Sequence, residues 1–325
     1  MASEKKRPPR RASGKISRRV LLSVDGGGSK ARALVDEGGR LKGRIEWFGL
    51  NPYDIDRVEF EKRLRTLLGP LLSYLKGSRG CPATIDACVA LAGAGDPAIA
   101  RRCRRIISRV LGAFGKPGRL AVTSDAGAIV DTSLVDCGGV VLLAGTGSVC
   151  FAVERASGGR SIYQIGGRGG ILDEGSAFRM GTALLSHTLR AAGQPSLVDR
   201  SVQLLCERQG ITLDRIPVRF VPPCRAEIAS LARILLDACA EGDRFAKSLV
   251  AASVADLIAM VRTGAESAHL GRQFDLFLSG GLFQNEIFRR RFLARLGRDF
   301  PRVSVHRIQD AALAALEIAR RLSSR

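Results

Sequence analysis

A glycine-rich turn interrupts the first apolar run of the chain and has the composition to bind an anion. The turn consists of Gly26, Gly27, Gly28, Ser29 and Lys30. A P-loop and a dinucleotide fingerprint both open a helix, whereas residues 31–35 continue as a strand, so both motifs are excluded. A turn between antiparallel strands can still point backbone N–H groups at an anion. A hairpin without a ligand is the alternative, and Lys30 contacts either phosphate or only solvent.

A carboxylate and a second turn extend this pattern. Asp25 stands at the end of the strand beside the first turn, where it suits a Mg²⁺ ion held through water. The second turn lies between two apolar runs and consists of Gly145, Thr146, Gly147 and Ser148. Two such turns can hold the two ends of a polyphosphate between facing domains.

Asp125 lies between the two turns in the sequence, where an apolar strand gives way to a helical segment. A single carboxylate at this place can accept the proton of a substrate hydroxyl while Mg²⁺ and the turns hold phosphates. A helix N-cap aspartate is the alternative, and both roles can hold together.

The elements that position these residues predict a two-part α/β chain. Residues 19–134 read as three strands, then helix, strand, helix, strand and helix, with Gly38 and Gly39 in a hairpin turn. The same order restarts with strands at residues 138–154 and 160–167, followed by long helices. The helices are predicted at 174–193, 196–209, 225–240 and 242–270. Strands over 274–278 and 301–308 and a closing helix from Asp310 complete the chain.

Composition and charge exclude several classes of protein. The 325 residues contain no apolar stretch near the roughly 20 residues of a membrane span, and the polar N-terminus predicts no signal peptide. The eight cysteines form no C-x-x-C pair, so we expect buried small side chains in a reducing cytoplasm.

The net charge of +20 raises the question of nucleic-acid binding, but its distribution argues against it. Residues 1–20 hold eight basic residues against one acidic residue, and the remaining excess is scattered arginine. Aromatic residues make up only 5% of the chain, so stacking platforms are scarce. An anionic substrate or a loose polyanion interaction fits the charge equally well, and we expect no specific nucleic acid and no membrane as partner.

Together the motifs resemble the BadF/BadG/BcrA/BcrD-type ATPase and N-acetylglucosamine kinase family, in the superfamily of actin and the sugar kinases. The most specific element is the block GGRGGILDEGSAFRMG at residues 166–181, in the right order with DGGGSK, TSDAG, AGTGS and LSGG. The resemblance implies two ribonuclease-H-like (actin-like ATPase) domains with an interdomain cleft. We expect a disordered basic tail at 1–18, domains at 19–134 and 135–325, and a last helix that packs back towards the first domain. A homodimer is also expected.

The resemblance also implies roles for single residues. Both glycine turns become ATP phosphate loops, and Asp125 becomes the catalytic base. The adenosine loop corresponds to Gly280 and Gly281. The sugar-binding residues correspond to Asn51, Gly93, Asp125, Gly167, Asp173 and Glu174. Without the resemblance, Asn51 is an ordinary turn residue, and Asp173 and Glu174 can simply cap a helix.

The implied reaction is transfer of the γ-phosphoryl group of Mg-ATP to an amino sugar, at the 6-hydroxyl. Val149 and Arg168 replace an asparagine and a tryptophan of the animal enzymes, which makes bacterial glucosamine kinases the nearest match in motif. Glucosamine and N-acetylglucosamine stay unresolved as substrates. The alternatives are an activator ATPase of a 2-hydroxyacyl-CoA dehydratase or benzoyl-CoA reductase system, which needs cysteines placed for an iron–sulfur cluster, and a non-catalytic sugar- or nucleotide-binding regulator.

Overall fold

The computed structural model describes residues 18–75, 83–134, 137–156, 159–169, 172–220, 224–308 and 310–324. The predicted basic tail lies outside the described residues except for Arg18. In the described part, no helix combines the length and the apolar character that crossing a membrane requires.

The first sheet contains three strands that precede the first helix and two strands that each follow a helix. Its strands are β1 (Arg19–Gly26), β2 (Lys30–Glu37), β3 (Arg40–Phe48), β4 (Thr84–Leu91) and β5 (Lys116–Thr123). They lie in the order β3-β2-β1-β4-β5, with β1 antiparallel to β2 and parallel to β4. The β2–β3 hairpin turns through Gly38 and Gly39, whose φ values of +63° and +80° confirm the predicted positive-φ turn.

Three helices belong to this half of the chain. They are α1 (Arg57–Leu72), α2 (Pro97–Gly112) and α3 (Asp125–Ser133). The side chains of Asp56, Asp96 and Ser124 accept backbone N–H groups at their first turns, which explains where each helix starts. The apolar faces of α1 and α2 are buried with the strands in one core.

The second sheet repeats the architecture of the first. Its strands are β6 (Gly139–Ala144), β7 (Ser148–Ala156), β8 (Gly159–Gly166), β9 (Asp275–Ser279) and β10 (Ser304–Arg307). The order is β10-β9-β6-β7-β8, so three antiparallel strands again extend into two parallel ones. The structural repeat predicted from the two glycine turns is therefore present in the sheets.

Helices lie between β8 and β9 and between β9 and β10. They are α4 (Ala177–Gly193), α5 (Arg200–Gln209), α6 (Ile216–Arg219), α7 (Arg225–Ser230), α8 (Ala232–Ala240), α9 (Arg244–Ser267) and α10 (Glu286–Asp299). The single helix predicted at 225–240 was wrong, because the chain breaks at Leu231 into α7 and α8. The predicted helix 174–193 begins only at Ala177, where the Ser176 side chain caps it.

The last helix, α11 (Ala311–Ser323), packs on the first sheet although it follows the second. Leu316 lies against Leu34 of β2 in a buried cluster. Asp310 caps α11, and its carboxylate also accepts the guanidinium of Arg32 at 2.9 Å. The two parts are thus joined by the closing helix, while the predicted division between residues 134 and 135 stays a prediction.

Candidate active site

The first glycine turn joins β1 to β2 and leaves backbone donors unused. The Gly27 N–H donates to the Lys30 carbonyl at 2.9 Å, which closes the turn. The N–H groups of Gly28 and Ser29 make no hydrogen bond within the described chain. The neighbouring segment rests directly on the turn, since a Cβ on Gly49 would lie 2.1 Å from the Gly28 carbonyl oxygen. The turn is therefore packed against Gly49 and offers two backbone N–H donors to an anion.

The second glycine turn joins β6 to β7 in the same way. Its Gly145 N–H donates to the Gly147 carbonyl at 2.8 Å. The carbonyl oxygens of Gly145 and Thr146 accept the first N–H groups of α4, from Ala177 at 2.9 Å and Phe178 at 3.2 Å. The N–H groups of Thr146 and Gly147 have no partner among the residues that the structure describes. This turn is anchored by the helix that follows the DEGS block and again leaves two donors free.

The two glycine turns are in direct contact, although they lie far apart in the sequence. Ser29 Oγ and Thr146 Oγ1 are hydrogen-bonded at 2.8 Å, although the residues are 117 positions apart. Lys30 does not reach into this gap, because its Nζ pairs with Glu46 at 3.2 Å on the exposed face of the sheet. The arrangement brings the free N–H groups of both turns to one place, where they can bind a chain of phosphates.

The two predicted carboxylates lie close enough for their charges to interact. Asp25 lies near the end of β1, and Asp125 follows β5 at the same edge of the sheet. Burial, reinforced by the negative charge of Asp125, raises the pKa of Asp25 to about 7. Burial also raises the pKa of Asp125. Both groups can therefore gain or lose a proton nearer to neutral pH than an exposed aspartate.

Asp125 does not cap its helix, so the N-cap alternative is wrong. The Ser124 side chain accepts the Gly127 N–H at 2.9 Å and is the N-cap of α3. Asp125 Oδ1 accepts the N–H of the next residue, Ala126, at 2.9 Å. This contact fixes the carboxylate and leaves Oδ2 without a hydrogen bond in the described part of the chain.

The donor set at Asp25 suits Mg²⁺ bound together with a substrate phosphate. Among the described residues there is no group of three or more His, Cys, Asp or Glu side chains that could hold a metal ion. Mg²⁺ commonly keeps several waters and binds one or two carboxylates plus phosphate oxygens, so a full protein cage is not required. A half-buried carboxylate beside a turn with free N–H groups meets that description.

Asn51 lies under the first turn and beside the Gly93 turn. A Cβ on Gly28 would lie 4.0 Å from Asn51 Nδ2, and one on Gly93 would lie 3.3 Å from Asn51 Oδ1. Asn51 is 6% exposed, and its Nδ2 donates to Asp54 at 2.8 Å. Gly93 has a φ of +88° and would clash with the Tyr53 ring if it had a side chain. These residues form one connected wall next to the first turn.

Asp173 lies against the second turn and holds the GGR loop. Its Oδ1 accepts the Gly169 N–H at 2.8 Å, and a Cβ on Gly147 would lie 2.4 Å from its Oδ2. Gly167, with a φ of +68°, donates its N–H to the Ser148 carbonyl at 3.0 Å. Asp173 is 3% exposed, so it is a buried part of the site and not a helix cap.

The Glu174 carboxylate lies close enough to helix α9 for its charge to act there. Its side chain is exposed, and only its backbone carbonyl contacts the second turn, where it accepts the Ser148 hydroxyl at 2.5 Å. Burial and the charge of Glu174 raise the pKa of Asp256 on α9. The structure thus relates the Glu174 carboxylate to Asp256 of α9.

The predicted adenosine loop adjoins the second turn. Gly280 has a φ of +107°, and a Cβ there would lie 2.2 Å from the Ala144 carbonyl oxygen at the end of β6. A Cβ on Gly281 would meet no other atom of the described chain within 4 Å, so this position faces open space. Gly280 therefore serves the close packing of two backbones, while Gly281 leaves room for a ligand.

Arg225 is a site residue that sequence reasoning missed. It starts α7, and its Nη2 donates to Asp173 Oδ2 at 3.0 Å. The contact joins residues 52 positions apart, so no local spacing signals it. Asp54 was likewise missed, although it lies only three residues after Asn51.

Comparison with known proteins agrees with this geometry. The N-acetylmuramic acid/N-acetylglucosamine kinase of Clostridium acetobutylicum is 24% identical over 321 residues, covering 93% of this chain and 98% of that protein. A solved structure of a candidate N-acetylglucosamine kinase from Chromobacterium violaceum has a TM-score of 0.73 at 19% identity and covers 93% and 99% of the two chains. Another candidate N-acetylglucosamine kinase, from Porphyromonas gingivalis, has a TM-score of 0.68 at 20% identity and covers 92% and 98%.

The likeness in fold confirms the expected two-domain actin-like architecture. The match to a family model is the broader finding, because it spans residues 22–319 and so includes both glycine turns, Asp125, the DEGS block and the LSGG loop. The chain belongs to the BadF/BadG/BcrA/BcrD ATPase family.

Proposed function

We propose that this chain is an ATP-dependent sugar kinase that phosphorylates N-acetylglucosamine or glucosamine at the 6-hydroxyl. The observation that carries the proposal is the meeting of the two glycine turns, bridged by Ser29 and Thr146 at 2.8 Å, each with two free backbone N–H groups. The kinase name of the Clostridium acetobutylicum relative supports the same reaction class.

Asp125 is the proposed general base. Its pKa is raised by burial, which brings its basicity closer to the operating pH and improves proton transfer. The Ala126 N–H holds Oδ1, so Oδ2 is the oxygen that accepts the proton of the sugar hydroxyl. Proton acceptance comes late in phosphoryl transfer, so positioning supplies most of the rate.

Asp25 would hold Mg²⁺ at the first turn, and the ion would neutralise charge on the transferring phosphate. The N–H groups of Gly28, Ser29, Thr146 and Gly147 would bind the phosphate oxygens. Gly280 and Gly281 would line the adenosine end, because they adjoin the second turn.

The acceptor sugar would lie between the Asn51 wall and Asp173. Asn51 and Gly93 flank the first turn, and Gly167 and Asp173 flank the second, so a sugar between them would lie beside both turns. Closure of the cleft around the sugar would exclude water and limit hydrolysis of ATP. We also propose a homodimer in the cytoplasm.

The alternative functions gain no support from the described residues. The cysteines there are unpaired, and four of the seven are buried. The kinase name of the Clostridium acetobutylicum relative favours the kinase over the activator ATPase.

The deciding experiment measures ADP release from Mg-ATP with glucosamine, N-acetylglucosamine, glucose and N-acetylmannosamine as acceptors. The wild-type chain should respond to an amino sugar, and Asp125→Asn should lower kcat by about 100-fold or more. Asp131→Asn is the matched control, because Asp131 lies on the same helix and pairs with Arg160 at the surface. If Asp125→Asn keeps the wild-type kcat, Asp125 is not the general base. If the wild-type chain shows no sugar-dependent ADP release, the proposed function is wrong.

A further inference from the structure

Asp54 is a carboxylate beside the first glycine turn that no step of the proposed reaction uses. It follows Asn51 by three residues, and its backbone N–H donates to the Asn51 carbonyl at 3.0 Å, which closes a tight turn. A Cβ on Gly28 would lie 3.4 Å from Asp54 Oδ2, so the carboxylate reaches the edge of the first glycine turn. Asp54 is exposed and is therefore accessible to a ligand.

The amide of Asn51 is held in one orientation by its two neighbours. Its Oδ1 accepts the Tyr53 N–H at 3.1 Å, and its Nδ2 donates to Asp54 Oδ2 at 2.8 Å. A backbone N–H can only donate and an ionised carboxylate can only accept, so these contacts distinguish the oxygen of the amide from its nitrogen. Because the amide nitrogen carries two N–H groups, Asn51 has one of them left for a ligand.

Asp54 supplies the opposite polarity. Its Oδ2 is occupied by Asn51, whereas Oδ1 has no hydrogen-bond partner among the residues that the structure describes. A free N–H donor and a free carboxylate oxygen thus lie three residues apart. Asp173 on the other side of the proposed sugar site differs, because its two oxygens already accept N–H groups of Gly169 and Arg225. Asp54 therefore has an oxygen available for a hydroxyl where Asp173 does not.

An aromatic surface adjoins this donor–acceptor pair. The Tyr53 ring lies against Gly93, where a Cβ would come within 2.5 Å of the ring carbon Cδ2. Tyr53 is 64% exposed, so much of the ring is accessible to a ligand. Binding sites for small molecules combine apolar and aromatic surface with a few polar groups that fix orientation. A sugar has the matching composition, with C–H groups on the faces of its ring and hydroxyls around the rim.

Asp54 is separate from the carboxylates that would bind Mg²⁺. The charge of Asp125 is the one that raises the pKa of Asp25 most, and Asp54 is not among the charges that shift this pKa most strongly. Two carboxylates on one Mg²⁺ ion would each lie about 2 Å from it and would act strongly on each other. The position of Asp54 thus fits contact with the sugar better than contact with the metal.

We propose that Asp54 is a specificity-determining residue, and that Asp54 and Asn51 together bind the neighbouring 3- and 4-hydroxyls of the acceptor sugar. In an amino sugar, C3 and C4 are the one pair of adjacent ring carbons that both carry a hydroxyl. One hydroxyl donates to Asp54 Oδ1, and the other accepts the free N–H of Asn51. This inference rests on the proposed kinase function and concerns how that site recognises its acceptor.

The test measures kcat/KM for the amino sugar that the wild-type chain phosphorylates best and for its 3-deoxy and 4-deoxy analogues. In the wild-type chain, loss of the hydroxyl that contacts Asp54 should lower kcat/KM by about 10- to 100-fold, because a hydrogen bond to a charged group is lost. Asp54→Asn should lower kcat/KM for the parent sugar by a similar factor. It should discriminate against that same analogue by less than about 3-fold, since the two changes remove one interaction and are not additive.

Discrimination against the other analogue should stay at the wild-type value in Asp54→Asn. The new amide oxygen can still accept the Asn51 N–H and hold the Asn51 side chain, whereas the new amide nitrogen presents a donor in place of the carboxylate oxygen. Asp214→Asn is the matched control, because Asp214 is an exposed carboxylate beside Arg215 in the other half of the chain. Its kcat/KM values should equal those of the wild-type chain for all three sugars.

Three results would overturn the inference. The wild-type chain could use both analogues as well as the parent sugar, or Asp54→Asn could discriminate against both analogues as the wild-type chain does. Asp54→Asn could also raise the KM for Mg-ATP and leave that for the sugar unchanged, which would assign Asp54 to the nucleotide or the metal.

Asp54→Ala is the second variant if Asp54→Asn does not fold, and it should lose the same discrimination. The proposed function fails in a different way, because the wild-type chain would then release no ADP with any sugar. Phosphorylation of a sugar with unchanged discrimination in the Asp54 variants would contradict only the present inference.

Discussion

Replacing Asp25 with asparagine should stabilise the folded chain above neutral pH while abolishing its activity. The pKa of Asp25 is raised to about 7 by burial and by the charge of Asp125. A group whose pKa is higher in the folded state stabilises the fold at low pH, and this contribution is lost as the pH rises through the folded-state value. The wild-type chain should therefore lose stability between about pH 4 and pH 7 through this group.

The size of the effect follows from the shift. The change from 3.8 to about 7 corresponds to at most about 4 kcal/mol, at 1.36 kcal/mol for each pKa unit. For a chain of 325 residues that unfolds as one unit, about 4 kcal/mol is equivalent to about 6 °C in Tm. Asparagine has a similar shape and no charge, so Asp25→Asn should recover part of this amount at pH 8.5 and almost none at pH 4.

The assay is thermal unfolding of both proteins in EDTA from pH 4 to pH 8.5. Asp131→Asn is the control, because it removes an equal charge from the surface, where Asp131 pairs with Arg160. Addition of Mg²⁺ with ATP should then raise the Tm of the wild-type chain more than that of Asp25→Asn, because binding to the folded state is stabilising.

Parallel Tm profiles for the wild-type chain and Asp25→Asn across this pH range would refute the reasoning. They would mean that Asp25 carries its charge without cost, and so is neither desolvated nor close to Asp125. Equal stabilisation of both proteins by Mg²⁺ and ATP would remove Asp25 from the proposed metal site.

Two further predictions concern the first sheet and the LSGG loop. Gly280→Ala should destabilise the chain by about 2–5 kcal/mol in urea unfolding, because its Cβ would overlap the Ala144 carbonyl at a φ of +107°. Gly281→Ala, with open space around it, should change stability by less than about 1 kcal/mol, and equal losses would contradict the described loop. Arg32→Gln removes a charge that lowers the pKa of Asp25, so the acid limb of kcat/KM at limiting Mg²⁺ should move to higher pH by about 1 unit. An unmoved acid limb would show that Asp25 does not control it.

Much of the fold could be predicted from local patterns. Short apolar runs identified the strands of both sheets, and Gly38 and Gly39 identified the first hairpin, because apolar runs and positive φ are local properties. The break between α7 and α8 could not be seen in this way. The apolar spacing of residues 225–240 is continuous, and the break at Leu231 reflects packing against the rest of the second core.

The sequence by itself determined the two glycine turns, the carboxylates Asp25 and Asp125, and the family, because each motif is a short run whose chemistry is set by residue type and spacing. Only the tertiary structure decided that Ser29 meets Thr146, that the Glu174 carboxylate lies near Asp256, and that Arg225 pairs with Asp173. These contacts join residues far apart in the chain. Their geometry depends on how the two sheets and their helices pack, and burial, which sets the pKa of Asp25, exists only after that packing is complete.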